Sequence, residues 1–500
     1  MRKWFAMFLV VDTLSFIFFT RIGDAAASEL SAATVNTTSA NVYTTPNSGS
    51  AVLTVLSRGE EYPVITAKAG DSSLIIHKVA AGQSLWSISS QYEVSISELK
   101  KRNKLSSSFL EIGQELSIPQ KTGIHTVVKG DTLWKIAASL KMTTSDLMQI
   151  NALKSTQLTI GQKLKIPDSF VQLQLLDGKK GWARKSNLQT RKLNRIIMGW
   201  NHGGNTQSNL KQSNKPNLNV ISPRWYYINT DHNLTVQEDA RFVKTAHNLG
   251  KRVWPLIGNR FDPELTDLFL SNPVKRQQAV SLLRDSLLRT DADGINVDFE
   301  NIKMRNKQDF VDFIKELKAA LKPHGLLISV DVTRTNEDPF WSGSLDRSEL
   351  GKAADYIVMM GYEEHWGGSG KPGSVGSLPW VRQGLKELMR EVPSHKIILG
   401  VPFFTREWVT NLATGKVSSY DRSMTEVEQI IKTKKLTKSW VKTVSQNLVR
   451  YTADGNKHEI WLEDKQSMKL RYDLVNQYRL RGIAAWYLGS ETNDIWSVFN

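Results

Sequence analysis

The segment DADGINVDFENI, residues 291–302, contains acidic and amide residues whose types and spacing could do chemistry. Asn296, Asp298 and Glu300 alternate there with apolar residues, as in a buried strand. Because side chains alternate between the two faces of a strand, the amide and both carboxylates share one face. Like charges at this spacing raise the pKa of one carboxyl, and an acid that stays protonated near neutral pH can protonate a leaving group. The spacing therefore predicts a general acid beside an ionised carboxylate.

The elements that must position these residues follow from the pattern after about Lys192. Eight short apolar runs alternate there with helical patterns, which predicts an α/β (β/α)8 TIM barrel over residues 193–500. Glu300 closes the fourth run, and active sites of such barrels lie at the carboxyl ends of the strands. Pro223 interrupts the second run, which predicts a bulge or a late start of that strand.

A resemblance to a known family rests on the same acidic segment. DGINVDFE, residues 293–300, resembles the DxxDxDxE motif of family 18 glycoside hydrolases, with Asp293 first and Asn296 in place of the middle Asp. The resemblance implies substrate-assisted retention, in which Glu300 is the general acid and later the base. It also implies that Asp298 orients the acetamido nitrogen of the substrate and stabilises the oxazolinium ion. We expect Asn296 to hold Asp298 by a hydrogen bond, and Asp293 and Asn296 to bind substrate.

Two further runs carry the same resemblance. MMGYEEHW resembles the M-x-Y-D strand end of the family, so Tyr362 is expected to donate its hydroxyl to the acetamido carbonyl. Glu363 replaces the usual Asp there and joins the expected substrate-binding residues. GIAAWYLG resembles the last strand, with Trp486 as the floor beneath the sugar.

Weaker groove candidates share only a position near predicted strand ends, where packing or surface ion pairing is equally expected. They are Arg224, Trp225, Asn259, Arg260, Trp366, Arg406, Glu407 and Trp408. We expect no metal and no cofactor.

An internal repeat precedes the barrel. Units that open at His77 and His125 match without gaps at an offset of 48 residues, and each predicts the order strand, helix, helix, strand. They resemble LysM domains, which implies two α+β modules at 75–119 and 123–167 that bind N-acetylglucosamine-containing glycans. Two structural spacers are the alternative, although tandem copies favour binding because linked sites gain avidity.

The flanks of the repeat, residues 34–74 and 169–190, resemble the two halves of one small all-β bacterial SH3-like barrel. The hairpin signal LLDGKKGWA lies in the second half. We infer that both LysM units are inserted into a surface loop of this barrel, because insertions succeed where chain ends lie close together. Two unrelated linkers are the alternative.

Composition limits the partners. The 65 Lys and Arg against 49 Asp and Glu give a formal charge of +16, which suits an anionic polymer. Zinc fingers and groove-reading basic helices are missing from the sequence, so we expect no nucleic-acid partner. The chain contains no cysteine, which excludes disulfides and thiolate metal sites.

The first 27 residues have the layout of a secretory signal, a basic start and an apolar stretch before Ala25 and Ala27. We expect cleavage and no stable membrane insertion afterwards, with an uncleaved membrane anchor as the alternative.

The sequence thus predicts a secreted, multidomain hydrolase of N-acetylglucosamine-containing glycans at a cell wall or spore surface. Peptidoglycan is preferred over chitin, because the basic charge suits an anionic wall. The alternatives are a lectin-like binding protein without turnover and a structural coat protein in which catalysis is vestigial.

Overall fold

A computed structural model describes residues 30–499 apart from 47–49, 70–74, 93, 119–121, 141–142, 168, 204 and 232. The predicted signal segment at 1–27 lies outside the described residues.

Eight parallel strands form a closed barrel, which confirms the predicted fold class. The first strand pairs with both the second and the last, and this closes the ring. The strands are β1 Ile196–Asn201, β2 Val220–Ile228, β3 Leu256–Gly258, β4 Gly294–Asp298, β5 Leu327–Thr333, β6 Tyr356–Met360, β7 Ile397–Pro402 and β8 Gly482–Trp486.

Helices cover the outside of the barrel because the outward faces of the strands are apolar. One large cluster joins those faces to the helices, and a second fills the interior around Trp200 and Trp254. The helices are Thr206–Ser213, Ala240–Asn248, Pro263–Leu270, Pro273–Thr290, Lys307–Leu321, Arg347–Ala353, Leu378–Leu388, Met424–Lys434 and Lys465–Gln477. In the described part of the chain, no helix combines the length and apolarity needed to cross a membrane.

The bulge that Pro223 predicts is present in β2. The register of β2 against β3 shifts between Arg224 and Tyr226, directly after the proline that lacks a backbone donor. A bulge re-aims the neighbouring side chains, and this one lies beside Arg224 at the carboxyl half of β2.

The segment of the chain between β7 and β8 forms an antiparallel five-stranded sheet. Its strands, in sheet order, are Val417–Ser423, Phe404–Asn411, Asn456–Trp461, Gln446–Ala453 and Ser439–Val441. Asp454 and Gly455 connect two of them with positive φ at both positions, as a tight hairpin requires.

Each repeat unit has the predicted order strand, helix, helix, strand. The first consists of Ile75–Lys78, Leu85–Tyr92, Ile96–Asn103 and Glu115–Ile118, and the second of Thr122–Thr126, Leu133–Ser139, Thr144–Asn151 and Lys163–Pro167. An equivalent asparagine joins the second helix to the last strand in both units. The amide of Asn103 donates to the Ser117 carbonyl at 2.8 Å, and that of Asn151 donates to the Lys165 carbonyl at 2.7 Å.

Strands from both flanks of the repeat lie in one seven-stranded sheet. In sheet order they are Leu188–Lys192, Ser31–Val35, Glu61–Ala69, Ser169–Gln174, Lys180–Arg184, Ser39–Tyr43 and Val52–Ser57. The name SH3-like for this sheet, and the domain boundaries, stay predictions.

This sheet contacts the amino end of the barrel. His395, just before β7, pairs with Glu61 at 2.9 Å, and the neighbouring Ser394 accepts a hydrogen bond from Gln174 at 3.2 Å. The sheet and its inserted repeats are therefore attached at the end of the barrel away from the carboxyl ends of its strands.

Candidate active site

Strand β4 sorts its side chains onto two faces as the alternation predicts. Asn296 is fully buried in the barrel interior, while Asp298 and Glu300 are partly accessible at the carboxyl end. The apolar residues between them belong to the cluster that packs against the helices, and they are Ile295, Val297 and Phe299. Phe299, for example, stacks on Phe313 of the helix Lys307–Leu321 with ring centres 5.7 Å apart.

Asn296 does not hold Asp298, contrary to expectation. Its Oδ1 accepts from Trp200 Nε1 at 2.8 Å, and its Nδ2 donates to Ser329 Oγ at 3.0 Å and to Asp331 Oδ1 at 2.7 Å. The amide reaches across to β5 because Asn296 and Ser329 are register partners in the parallel pair β4–β5. Asn296 therefore ties the interior of β4 to β1 and β5.

The backbone of Glu300 is clamped by Asn259, which follows β3. Asn259 Nδ2 donates to the Glu300 carbonyl at 2.6 Å, and its Oδ1 accepts from the Glu300 amide at 3.1 Å. Asn259 is 1% exposed, so water does not compete for these bonds. The sequence places Asn259 only among the weaker groove candidates, whereas these two bonds show that it positions the Glu300 backbone.

The electrostatics of the two carboxyls differ in a way that suits an acid beside a carboxylate. Burial raises the pKa of Asp298 to about 6, and the positive charge of Arg224 opposes that rise. Burial raises the pKa of Glu300 well above its usual range, and the negative charges of Asp298 and Glu363 raise it further. Asp298 therefore ionises first, and Glu300 keeps its proton beside that charge.

Tyr362 follows β6 and belongs to the same group of charges. Burial raises its pKa, and the negative charges of Asp331, Asp298 and Glu300 add to the rise. Its hydroxyl consequently stays protonated and available as a hydrogen-bond donor at the carboxyl end of the barrel.

Glu363 is held from the five-stranded sheet. Its carboxylate pairs with Arg406 at 2.9 Å, and its side chain is 40% exposed. Arg406 is 8% exposed and also pairs with Asp421 at 3.0 Å. Glu363 is thus an anchored carboxylate at the rim, and its charge acts on Glu300.

Trp486 closes β8 and is half-buried. Its ring meets that of Trp200 edge to face with centres 5.7 Å apart, so the indole is held against the barrel interior. The guanidinium of Arg224 lies 5.9 Å from the Trp486 ring centre, and its Nη1 contacts His202 Nδ1 at 3.2 Å. Trp486 thus presents a flat aromatic face at the same end of the barrel as Asp298 and Glu300, and such a face is a suitable surface for a sugar ring.

Asp293 is not brought together with the other candidates. It precedes β4, at the amino end of the strand, where its Oδ2 contacts His247 Nε2 at 2.9 Å and accepts from the Val253 amide at 2.8 Å. The five residues of β4 separate its two ends by more than about 10 Å. Asp293 therefore joins neighbouring elements at the amino end of the barrel, away from Asp298 and Glu300, and the expectation that it binds substrate is wrong.

Asp331 is a site residue that sequence reasoning missed. It lies inside β5, is 3% exposed, and interacts with both Asp298 and Glu300. A signal was present, since Ser329, Asp331 and Thr333 alternate with apolar residues as Asn296, Asp298 and Glu300 do.

A closed parallel barrel with paired carboxyl groups at the carboxyl end of β4 suits a glycoside hydrolase. The family model of Glycosyl hydrolases family 18 matches residues 178–491, and the LysM domain model matches residues 77–119 and 125–167. The chain belongs to glycosyl hydrolase family 18 and carries two LysM domains, which confirms both predictions.

Individual relatives and solved structures are similar to parts of the chain. The chain is 25% identical over 250 residues to the cortical fragment-lytic enzyme of Bacillus subtilis, a match covering 49% of this chain and 58% of that enzyme. The spore cortex-lytic enzyme SleL of Bacillus megaterium QM B1551 matches with a TM-score of 0.56 and 23% identity, over 85% of this chain and 97% of that structure. A chitinase from Chromobacterium violaceum ATCC 12472 matches with a TM-score of 0.55 and 22% identity, over 61% and 98%. At these identities the two structures bear on the fold alone.

Proposed function

We propose that this protein is a wall-binding glycosidase that cleaves β-1,4 bonds next to N-acetylglucosamine by substrate-assisted retention. The observation that carries the proposal is the inward-facing pair Asp298 and Glu300 at the carboxyl end of β4, where the negative charge of Asp298 raises the pKa of Glu300. Trp486 closes β8 at the same end of the barrel.

In the proposed reaction, Glu300 gives its proton to the glycosidic oxygen as the bond to the anomeric carbon breaks. The 2-acetamido oxygen of the substrate attacks that carbon and forms an oxazolinium ion. The Asp298 carboxylate accepts from the acetamido N–H and stabilises the positive charge, and Tyr362 donates to the acetamido oxygen. Glu300, now ionised, takes a proton from the water that opens the ring.

Peptidoglycan is the proposed substrate, with chitin as the second candidate. The net charge of +16 favours an anionic wall, and the relatives named as cortical fragment-lytic enzymes support the same polymer. We place the protein outside the cell, at a cell wall or spore surface. The second candidate function is glycan binding without turnover, which the two LysM domains alone could provide.

Mass spectrometry of purified peptidoglycan after digestion tests the proposal. New reducing ends on N-acetylglucosamine are expected. Binding to the polymer with no new reducing ends on peptidoglycan or chitooligosaccharides would instead support the binding protein.

Replacing Arg224 with glutamine is expected to move the pH profile of kcat/KM toward higher pH. The positive charge of Arg224 lowers the pKa values of Asp298 and Glu300, so its removal raises both. The acidic limb, set by ionisation of Asp298, and the alkaline limb, set by ionisation of Glu300, then both shift upward. Arg224→Lys keeps the charge and should keep the profile. An unmoved profile in Arg224→Gln would contradict the assignment of the two limbs to Asp298 and Glu300.

The double variant Trp86→Ala, Trp134→Ala is expected to bind wall glycan more weakly by roughly 10²-fold, since it removes the gain from two linked sites. The two indoles occupy equivalent positions of the repeat and are 71% and 68% exposed, so both are available to a ligand. Sedimentation with insoluble peptidoglycan measures binding, while turnover of a soluble oligosaccharide should be unchanged. The matched control is Trp440→Ala, a partly exposed tryptophan outside the repeats. Equal binding by the double variant and this control would refute the prediction.

A further inference from the structure

A buried carboxyl group in the barrel interior has no part in the reaction proposed above. Asp331 is 3% exposed, and its Oδ1 accepts a hydrogen bond from Asn296 Nδ2 at 2.7 Å. The structure gives it no ion-pair partner among the described residues. An unpaired, ionised carboxylate in such a place is costly, which favours the neutral acid.

The strand register places Asp331 next to Asp298. Asn296 pairs with Ser329 and Val297 with Val330, so the next inward-facing positions along the two parallel strands are Asp298 and Asp331. Neighbouring strands lie about 4.8 Å apart, which puts the two carboxyl groups side by side on one face.

Asp298 has an acceptor oxygen to which such a neighbour could donate a hydrogen bond. Its Oδ1 is buried and has no hydrogen-bond partner among the described residues. Among the described residues, the charged and titratable groups that interact with the pair are Glu300 just after β4, Tyr362 after β6 and Arg224 on β2. Glu363, also after β6, acts on Glu300.

The distribution of charge decides which of the two carboxyls holds a proton. Burial raises the pKa of Asp331 well above its usual range, and the negative charges of Asp298 and Glu300 raise it further. Burial also raises the pKa of Asp298, but the positive charge of Arg224 favours its ionised form. The first carboxyl to ionise is therefore Asp298, and the proton remains on Asp331.

We propose that Asp331 is a positioning residue: as a neutral acid it donates a hydrogen bond to Oδ1 of Asp298 and holds that carboxylate ionised and oriented toward the substrate. The inference rests on the proposed function, since it assigns Asp331 a role through Asp298. This role also explains the hydrogen bond from Asn296. The amide donates to Oδ1 of Asp331, which leaves Oδ2 to carry the proton.

The test compares two replacements. Asp331→Asn keeps a neutral donor, since Nδ2 can serve Asp298 while Oδ1 still accepts from Asn296, and it should keep the acidic limb of the kcat/KM profile. Asp331→Leu has a similar volume and no donor, so the pKa of Asp298 should rise. Its kcat/KM should fall about tenfold on the acidic side, which corresponds to a limb shifted by about one pH unit. An unshifted limb in Asp331→Leu, or an equal shift in Asp331→Asn, would overturn the proposal.

A second measurement tests the proposal if Asp331→Leu does not fold. Infrared spectra of the free enzyme at neutral pH should contain a protonated-carboxyl C=O band that is lost on Asp331→Asn. The comparison is made in the Glu300→Gln background, so that Glu300 contributes nothing to the band. No loss of this band would refute a protonated Asp331. Because the spectra need no turnover, they remain decisive for Asp331 even if wild-type enzyme releases no product and the proposed function fails.

Discussion

Glu300→Gln is expected to lower the rate of glycan hydrolysis by roughly 10²–10⁴-fold, the usual contribution of a positioned general acid. The glutamine amide has nearly the same shape but no proton of suitable acidity, so the glycosidic oxygen leaves unprotonated. The backbone bonds to Asn259 are unaffected, because they use only the amide and carbonyl of residue 300. Reducing-end release from soluble oligosaccharides measures the loss, and binding to insoluble wall should stay at the wild-type level.

The matched control is Glu428→Gln, which changes a carboxylate on the helix Met424–Lys434 that pairs with Lys438. This control should keep full activity. If Glu300→Gln also hydrolyses at the control rate, Glu300 is not the acid. If instead both wild type and variant bind glycan and neither hydrolyses it, the binding-protein alternative stands.

Asp298→Asn is expected to have the second largest effect, about 10²-fold or more on kcat, because the oxazolinium ion loses its neighbouring charge. The variant should also move the alkaline limb of the pH profile. The negative charge of Asp298 raises the pKa of Glu300, so its removal lowers that pKa. Glu300 then loses its proton at lower pH, and the alkaline limb shifts downward.

The direction of this shift separates Asp298→Asn from Arg224→Gln, which should move the same limb upward. Complete pH profiles of both variants on one soluble substrate make the comparison. An alkaline limb that stays in place or rises in Asp298→Asn would contradict the coupling between the two carboxyls.

The parts of the site that the sequence predicts are those that depend on the period of one strand. Asn296, Asp298 and Glu300 face inward because side chains alternate, and nothing outside β4 is needed to infer it. The bulge after Pro223 is predictable for a similar reason, since a proline cannot donate to the ladder. The repeat also predicts its own fold, because each unit forms its own small core.

The parts that sequence reasoning missed depend on which residues meet across strands. Asn296 bonds Asp331 because the register of β4 against β5 brings the two together, and register is a tertiary property. Asp293 belongs to the same short motif as Glu300, yet it lies at the other end of the barrel because β4 begins at Gly294. The role of Asn259 likewise depends on how β3 and β4 align.

The measurement that tests the central claim most directly is proton NMR of the anomeric signals during hydrolysis of a soluble N-acetylglucosamine oligosaccharide. Retention through the acetamido group predicts that the β-anomer of the new reducing end appears first and then mutarotates. A product that appears first as the α-anomer, or equal turnover of a substrate whose reacting sugar lacks the acetyl group, would contradict it.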